Sequence, residues 1–413
     1  MRRRVVVTGL GAVTPVGNDV ATTWRAMLSG TSGAGPITKF DPEHFRVRFA
    51  CEVKGFDPLT YMDRKEAKRA DIYTQFALAA SVQAMADAGL AAGGFVPEET
   101  GVIIGSGIGG IKSFEDQHHV FRDRGPSKIS PFFIPMFISD MAAGIVSMRF
   151  GAKGPNYATV SACSSSAHAI GDAFRTIQYG DADVMISGGA EAAVTPMSIG
   201  GFGNMTALSE RNDDPLTASR PFDKGRDGFV MGEGGAVVIL EELAHARRRG
   251  ARIYGEIVGY GATGDAYHIT GQPEDHEGLQ RAMKRALRDG NIAPGDVQYV
   301  NAHGTSTPLN DPNEIRGIRK VFGAHADRLS VSSTKSMTGH MLGAAGAVEF
   351  IASTLAIVNG MIPPTINQFE ADPECDLNVT PNVCVARDID VAISNSSGFG
   401  GHNVSLAVRR FAE

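Results

Sequence analysis

Four cysteines, Cys51, Cys163, Cys375 and Cys384, occur in the chain, and Cys163 alone stands where a thiol could do chemistry. It follows the apolar run Thr159–Ala162, expected to be a strand, and precedes a small-residue turn. That turn opens a stretch with Ala167, Ile170, Phe174 and Ile177 on one helical face. A strand-to-helix junction sets the sulfur beside unpaired N–H groups and the positive end of a helix, which favours thiolate, the nucleophilic form, over thiol. Such a turn also lifts a side chain above the sheet. The other reading of a free cysteine is a small buried residue, and Cys51, Cys375 and Cys384, without comparable context, take that reading.

Two histidines and an ion pair could serve the same centre. His303 follows the run Gln298–Asn301 and opens HGTSTPLND; His340 follows KSMTG and opens an alanine-rich helical stretch. Both lie at carboxyl ends of expected strands, the edge where open α/β sheets build their sites. Neither has a metal-like partner at i+3 or i+4, so no metal is expected. Each histidine taken alone reads equally as a hydrogen-bonded structural residue; two at equivalent strand ends are harder to dismiss. Lys335, one turn before His340, and Glu349, on the following helix, would form an internal ion pair near the site or a purely structural one. The run Gly398-Phe399-Gly400-Gly401 would present backbone N–H groups in a turn of little bulk, suited to an oxyanion.

The elements that must position these groups are legible as short β-branched runs ending in Gly, Ser or Asn. They start at Arg4, Val102, Val184, Val237, Val300 and Val391. Between them lie stretches of helical period, Ile72–Ala88, Ala167–Tyr179, Leu279–Asp289 and Gly343–Val358, so the fold class is α/β. YATVSACSSSAHAIGDAF and LSVSSTKSMTGHMLGAAGAVEF share one plan, and each is followed by a strand, VMISGGAEA and VAISNSSGFGG. That parallel suggests two similarly built halves, residues 1–250 and 251–413. The stretch from Thr195 to Gly235 reads as a long irregular insertion, a place where function or an interface usually sits.

Composition excludes whole classes. At 413 residues with 43% apolar and 20% charged residues, the chain is a folded globular protein rather than a disordered or fibrous one. The net charge of −6 gives no overall case for nucleic acid or anionic lipid, so any basic docking surface must be local. The cysteines form no CxxC pair, the amino terminus lacks the apolar stretch and cleavage site of a signal peptide, and no run of about 18 apolar residues appears, which together imply a cytoplasmic protein without a membrane span. Glycine, 50 of 413 residues, is well above its usual share of about 7%, so many turns or close approaches are specified.

Several long motifs stand in a fixed order: VVVTGLGAVTPVG, SACSSS, SRPFDKGRDGFVMGEGGA, NAHGTSTPLND, SSTKSMTGHMLGAAGA and SNSSGFGGHN. With these the chain resembles the β-ketoacyl-[acyl-carrier-protein] synthases over essentially its whole length, and most closely those that elongate fatty acids in type II systems. The resemblance implies a thiolase-like five-layered fold of two similar α/β halves, usually homodimeric. It implies Cys163 as acyl acceptor, His303 and His340 as the decarboxylation pair, Lys335 with Glu349 as supporting ion pair, and the N–H groups of Cys163 and Phe399 as oxyanion hole. Phe399 also matches a gatekeeping phenylalanine. Ile108, Phe133 and Phe202 match positions lining or closing the acyl pocket, and Thr305 and Thr307 match contacts to the phosphopantetheine arm. That arm is carried by the acyl-carrier-protein substrate, so no separate cofactor is implied. The acidic carrier would meet Arg64, Lys65, Lys68 and Arg69, clustered in DRKEAKRA, with Lys128 added by resemblance. Two departures stand out: Ser397 where a bulky apolar residue is common, and Thr206 where many relatives carry a basic one. A non-catalytic carrier-binding partner and a polyketide ketosynthase are the rival readings, the first disfavoured by the intact Cys163, His303 and His340.

Overall fold

A computed structural model describes residues 2–412. Ten strands build one mixed sheet: β1 Val5–Val13, β2 Thr100–Gly105, β3 Asn156–Tyr157, β4 Val184–Glu191, β5 Gly234–Glu242, β6 Gly255–Gly264, β7 Tyr299–Asn301, β8 Ser330–Ser332, β9 Val391–Gly398 and β10 His402–Arg409. Across the sheet the order is β8-β7-β9-β10-β6-β1-β5-β4-β2-β3. In β1-β5-β4-β2-β3 the first two pairings are antiparallel and the last two parallel. The run β6-β10-β9-β7-β8 repeats those directions in the same order. The two runs join where Val5–Val7 pair with Gly255–Ile257.

Six helices complete the layers: α1 Ile72–Asp87, α2 Met141–Phe150, α3 Ser165–Tyr179, α4 Glu277–Asp289, α5 Asn310–Phe322 and α6 Ala345–Asn359. Helices α1 and α2 cover the outer face of the first run, α4 and α5 the outer face of the second, and α3 and α6 pack against each other between them. This is a thiolase-like five-layered fold. The helix sequences say which layer each must take. In α4 the buried residues Leu279, Ala282, Met283, Ala286 and Leu287 share one face, so it belongs outside. In α6 every residue from Ala345 to Ile357 is buried, and a helix buried around its whole circumference needs a face on both sides. The segment Leu342–Asn359 is by length and hydropathy sufficient to cross a bilayer; its place in the central layer accounts for that apolarity.

Two expectations change. The strand expected over Thr159–Ala162 is confined to Asn156–Tyr157, and Ala162–Ser164 is a tight 3-10 turn. Ala162 has φ 50°, and the serine run caps the bend: Ser161 N–H donates to Ser165 Oγ at 2.9 Å, and Thr159 Oγ1 donates to the Ser165 carbonyl at 2.7 Å. The insertion is also less irregular than expected. Pro196–Asn204 is a helix, with the Thr195 side chain as its cap and proline at its first position, the pairing that favours helix initiation.

Gly105 shows how closely the central layer is pressed on the sheet. A Cβ there would lie 2.5 Å from the Ser165 carbonyl carbon, at the first turn of α3. Since backbone cannot rotate out of the way, Gly105→Val is expected to lower stability by about 1–3 kcal/mol, measured as a shift in denaturant midpoint. A midpoint equal to wild type would contradict this packing.

Candidate functional site

Cys163 sits in the turn that feeds α3 and is 8% exposed. Approach to it is tight: a Cβ on Gly398 would lie 2.6 Å from the Ser161 carbonyl oxygen and 3.2 Å from Cys163 N. Only glycine lets the β9–β10 turn, with Phe399 on it, come down over the nucleophile. The resting thiolate expected from the helix terminus is not what the surroundings favour. Burial pushes the thiol up to about 12, and the buried Glu191 carboxylate adds to the rise. Lys335 and the N–H groups of Cys163 and Phe399 pull the other way. Desolvation wins because the helix-end charge is partial while the loss of water is nearly complete.

Behind the thiol lies an ammonium group. Lys335 and Glu349 form an ion pair, each side chain 2% exposed. Lys335 Nζ also donates to the His303 carbonyl at 2.6 Å and stands 3.3 Å from His303 Nδ1. An ammonium has no lone pair to offer, so Nδ1 is the acceptor and the ring proton is on Nε2, facing away from the lysine. The His303 and His340 rings meet edge to face, 5.4 Å between centroids. His340 is held by its backbone, N–H to the Val230 carbonyl at 2.7 Å and carbonyl from Gly232 N–H at 2.9 Å. Its ring lies edge to face on Phe229 at 5.2 Å. Burial and then the Lys335 charge hold both imidazoles well below their usual titration range. Both rings are neutral.

Two carboxylates that sequence reasoning missed fasten these parts. Glu191, at the end of β4, accepts from Gly107 N–H at 2.7 Å, Ile108 N–H at 3.1 Å, Ser106 Oγ at 3.0 Å and Gly343 N–H at 3.0 Å, tying the nucleophile half to the turn before α6. Glu314, on α5, accepts from His303 N–H at 2.9 Å and Gly304 N–H at 2.8 Å, and burial pushes it up to about 7. The available signal was a carboxylate closing an otherwise uncharged strand, VMISGGAE, and one three residues after HGTSTPLND, in the second turn of the helix that begins within it.

The remaining residues divide. Ile108 and Phe202 belong to the apolar cluster around Cys163. Phe399 is half-buried, its ring 6.3 Å from Phe202, which is 5.6 Å from Phe229. Thr305 and Thr307 join hydroxyls at 2.9 Å just beyond His303. Phe133 is the exception. It lies on a short helix, Phe133–Phe137, with its ring against Phe114 and Phe137 and outside the Cys163 cluster, because that helix packs on helix Ile111–Arg124 instead. Arg64, Lys65, Lys68 and Arg69 are exposed and line one shallow groove around a short helix capped by Asp63. The Arg69 guanidinium covers the Phe132 ring at 4.2 Å. Lys128 is exposed a few residues before Phe132, and Thr206 is exposed after the insertion helix.

Comparison with known proteins bears on this arrangement. Residues 2–246 match the family profile of the β-ketoacyl synthase N-terminal domain and residues 254–369 that of the C-terminal domain. The chain is 55% identical over 410 residues to the 3-oxoacyl-[acyl-carrier-protein] synthase 2 of Synechocystis sp., covering 99% of each. It is 53% identical over 409 residues to the enzyme of the same name from Staphylococcus aureus, again covering 99% of each. Among solved structures it superposes on the ishigamide ketosynthase/chain length factor with a TM-score of 0.94 at 34% identity, covering 100% of each chain. A type II PKS ketosynthase in complex with its acyl-carrier protein gives a TM-score of 0.92 at 36% identity, also covering 100% of each.

The buried pair generates one expectation and the neutral rings another. Lys335→Met leaves a carboxylate buried without a partner and should cost about 3–5 kcal/mol, most of it regained when Glu349→Leu is added. Denaturant unfolding of the two singles and the double measures this; a lone Lys335→Met as stable as wild type would refute it. Both imidazoles stay neutral as pH falls through 6.5, so malonyl decarboxylation should hold within about twofold from about pH 8 to about pH 6. A loss centred at or above the usual histidine value would contradict it.

Proposed function

The chain belongs to the β-ketoacyl synthase family, and from that premise we propose how its residues share the work. The protein is an acyltransferase that carries out the decarboxylative Claisen condensation of acyl-enzyme with malonyl-[acyl-carrier-protein], the elongation step of type II fatty-acid biosynthesis. A polyketide role is the second reading. It is disfavoured by identity of 53–55% to 3-oxoacyl-[acyl-carrier-protein] synthases 2 against 36% to a type II PKS ketosynthase.

The observation that carries the assignment of roles is the meeting of one buried thiol, two neutral imidazoles and one buried ammonium at a single place. Cys163 attacks the thioester carbonyl; its S–C bond forms as the bond to the carrier's pantetheine sulfur breaks, and the proton leaves with that sulfur. With the thiol up to about 12 at rest, the proton passes from Cys163 to the pantetheine sulfur during the attack rather than before it. The N–H groups of Cys163 and Phe399, which already favour negative charge on the sulfur, receive the carbonyl oxygen; loss of one such donor typically costs about 3–4 kcal/mol. Malonyl thioester then loses CO₂, and the enolate oxygen takes N–H bonds from His303 Nε2 and His340. Neutral rings stabilise that oxygen without offering the carbanion an acidic proton. The carbanion attacks the acyl carbonyl, the new C–C bond forms, and the C–S bond to Cys163 breaks to release 3-oxoacyl carrier. Burial and the Lys335 charge keep the rings neutral, and Glu349 anchors the lysine that holds His303 in place. Ile108 and Phe202 flank the acyl chain, Thr305 and Thr307 the pantetheine arm, and no further cofactor takes part.

The acidic carrier docks on Arg64, Lys65, Lys68 and Arg69 with Lys128. The functional unit is a cytoplasmic homodimer. Supporting this, edge strand β3 carries exposed Tyr157, and Met148, Val160, Phe132, Ile134 and Ile138 are exposed nearby in sequence, an apolar edge that a second copy would cover. Phe133, next to these residues, would act toward that second copy. The halves divide at residues 1–250 and 251–413.

Incubation with a long-chain acyl carrier is expected to add one acyl mass to the Cys163 peptide, absent in Cys163→Ala, while His303→Ala and His340→Ala still load but condense at least tenfold more slowly. An adduct persisting in Cys163→Ala would sink the assignment. Reversing charge at Lys65 and Arg69 should raise the carrier KM and weaken its salt dependence; an unchanged KM at low salt would rule this patch out.

A further inference from the structure

The turn that brings Phe399 to the nucleophile is a loose seat for a catalytic donor. Gly398, Gly400 and Gly401 surround it, the latter two with φ 88° and 76°, and such a turn has wide conformational freedom. Yet an oxyanion donor works only when aimed at a fixed point. Something beneath must hold it.

The hairpin closes on the pair Gly398 and His402, and the next pair is Ser397 and Asn403. The Asn403 amide is buried and held at both ends. Its Nδ2 donates to Asp265 Oδ1 at 2.6 Å and to the Gly401 carbonyl at 3.3 Å. Its Oδ1 accepts from Ser397 Oγ at 2.9 Å and stands 3.1 Å from His276 Nε2, which is also 3.2 Å from Ser397 Oγ. Around this knot the backbone is zipped as well, Gly400 N–H to the Ile269 carbonyl at 2.8 Å and Asp265 N–H to the Gly401 carbonyl at 2.9 Å.

His276 comes from a different element, the position that opens α4. It is fully buried, with φ 52°, after Asp275 with φ 61°. Two consecutive left-handed non-glycine residues persist only where their surroundings over-determine them. The next turn is shaped to the same knot: a Cβ on Gly278 would lie 1.9 Å from Asp265 Oδ1 and 2.5 Å from Asn403 Nδ2. Nδ1 of His276 has no hydrogen-bond partner among the described residues, so the ring proton is on Nε2, where Asn403 accepts it. Burial lowers its titration to about 4, so the ring is neutral. Ser397, where the resemblance expects a bulky apolar side chain, supplies both the room and the hydroxyl this imidazole uses.

We propose that His276 is a positioning residue for acyl transfer: through Asn403, and with Ser397, it holds the glycine turn so that Phe399 N–H stays aimed at Cys163. This rests on Phe399 N–H being an oxyanion donor.

Single-turnover acylation of Cys163 by an acyl carrier, primer-free malonyl decarboxylation and thermal unfolding are to be measured on wild type, His276→Ala, His276→Gln and Ser397→Ala. His276→Ala should slow acylation at least tenfold and decarboxylation less than twofold. His276→Gln, which keeps an N–H donor, should recover most of that loss, and Ser397→Ala should slow acylation twofold to fivefold. Acylation within twofold of wild type in both alanine variants overturns the proposal, as does an equal fall in acylation and decarboxylation with no recovery in His276→Gln. If His276→Ala does not fold, Ser397→Ala decides, and wild-type acylation in it overturns the proposal. The wild-type Cys163 adduct in the same assay reports on the nucleophile whatever His276 does, so the two readings fail separately.

Discussion

An ammonium group almost shut off from water organises the centre of this protein. Lys335 has three donors, and they go to Glu349, to the His303 carbonyl and toward His303 Nδ1. Removing a charge from water is costly unless its partners are fixed in advance, so the residues that meet it are rigid in consequence. The same charge then acts on the rings. It joins burial in keeping His303 and His340 neutral, and it occupies the lone pair that decides which nitrogen of His303 carries the proton. Through its lysine, one buried ion pair helps burial keep both rings neutral and fixes the tautomer of His303.

The centre exists because two similar halves meet along a seam of small residues. In each half a tight turn precedes a central helix, Ala162–Ser164 before α3 and Leu342–Ala344 before α6. Each turn begins on a strained residue, Ala162 at φ 50° and Leu342 at φ 44°. One half brings the thiol and the other brings the lysine and histidines. Glu191 bonds backbone N–H groups from both sides, so the two turns cannot slide independently. Glycine at 398 then lets the β9–β10 turn close from above.

Away from this interior the chemistry changes character. Arg64, Lys65, Lys68 and Arg69 are exposed, with Arg69 laid on the Phe132 ring, and under the proposed docking such exposed charge would suit a transient, salt-sensitive encounter rather than tight binding. The apolar edge at β3 is where the proposed second copy would make a permanent contact instead. Rigid polar groups inside and adaptable charges outside match a cycle in which carriers arrive and leave twice per turnover while the acyl chain stays.

The α/β class and the internal parallel were legible in the chain because buried strands and central helices are written as continuous β-branched or alanine-rich runs. Cys163, His303, Lys335 and His340 were legible because each sits at a junction of such runs. Glu191 and Glu314 were not, since a buried carboxylate looks like any other until the backbone N–H groups that pair with it are known. The protonation of Cys163 is not legible for the same reason: a helix terminus can be read from residue order, but the loss of water that raises the thiol is produced by segments far apart in the chain. Phe133 matches a family position by resemblance, and packing on Ile111–Arg124 sets it outside the cluster around Cys163 in its own chain. His276 gave no signal at all, because its partners Asn403 and Ser397 lie more than a hundred residues away. Local periodicity determined the elements and the junctions; tertiary structure decided charge state, pairing and aim, which depend on desolvation and on contacts between distant segments.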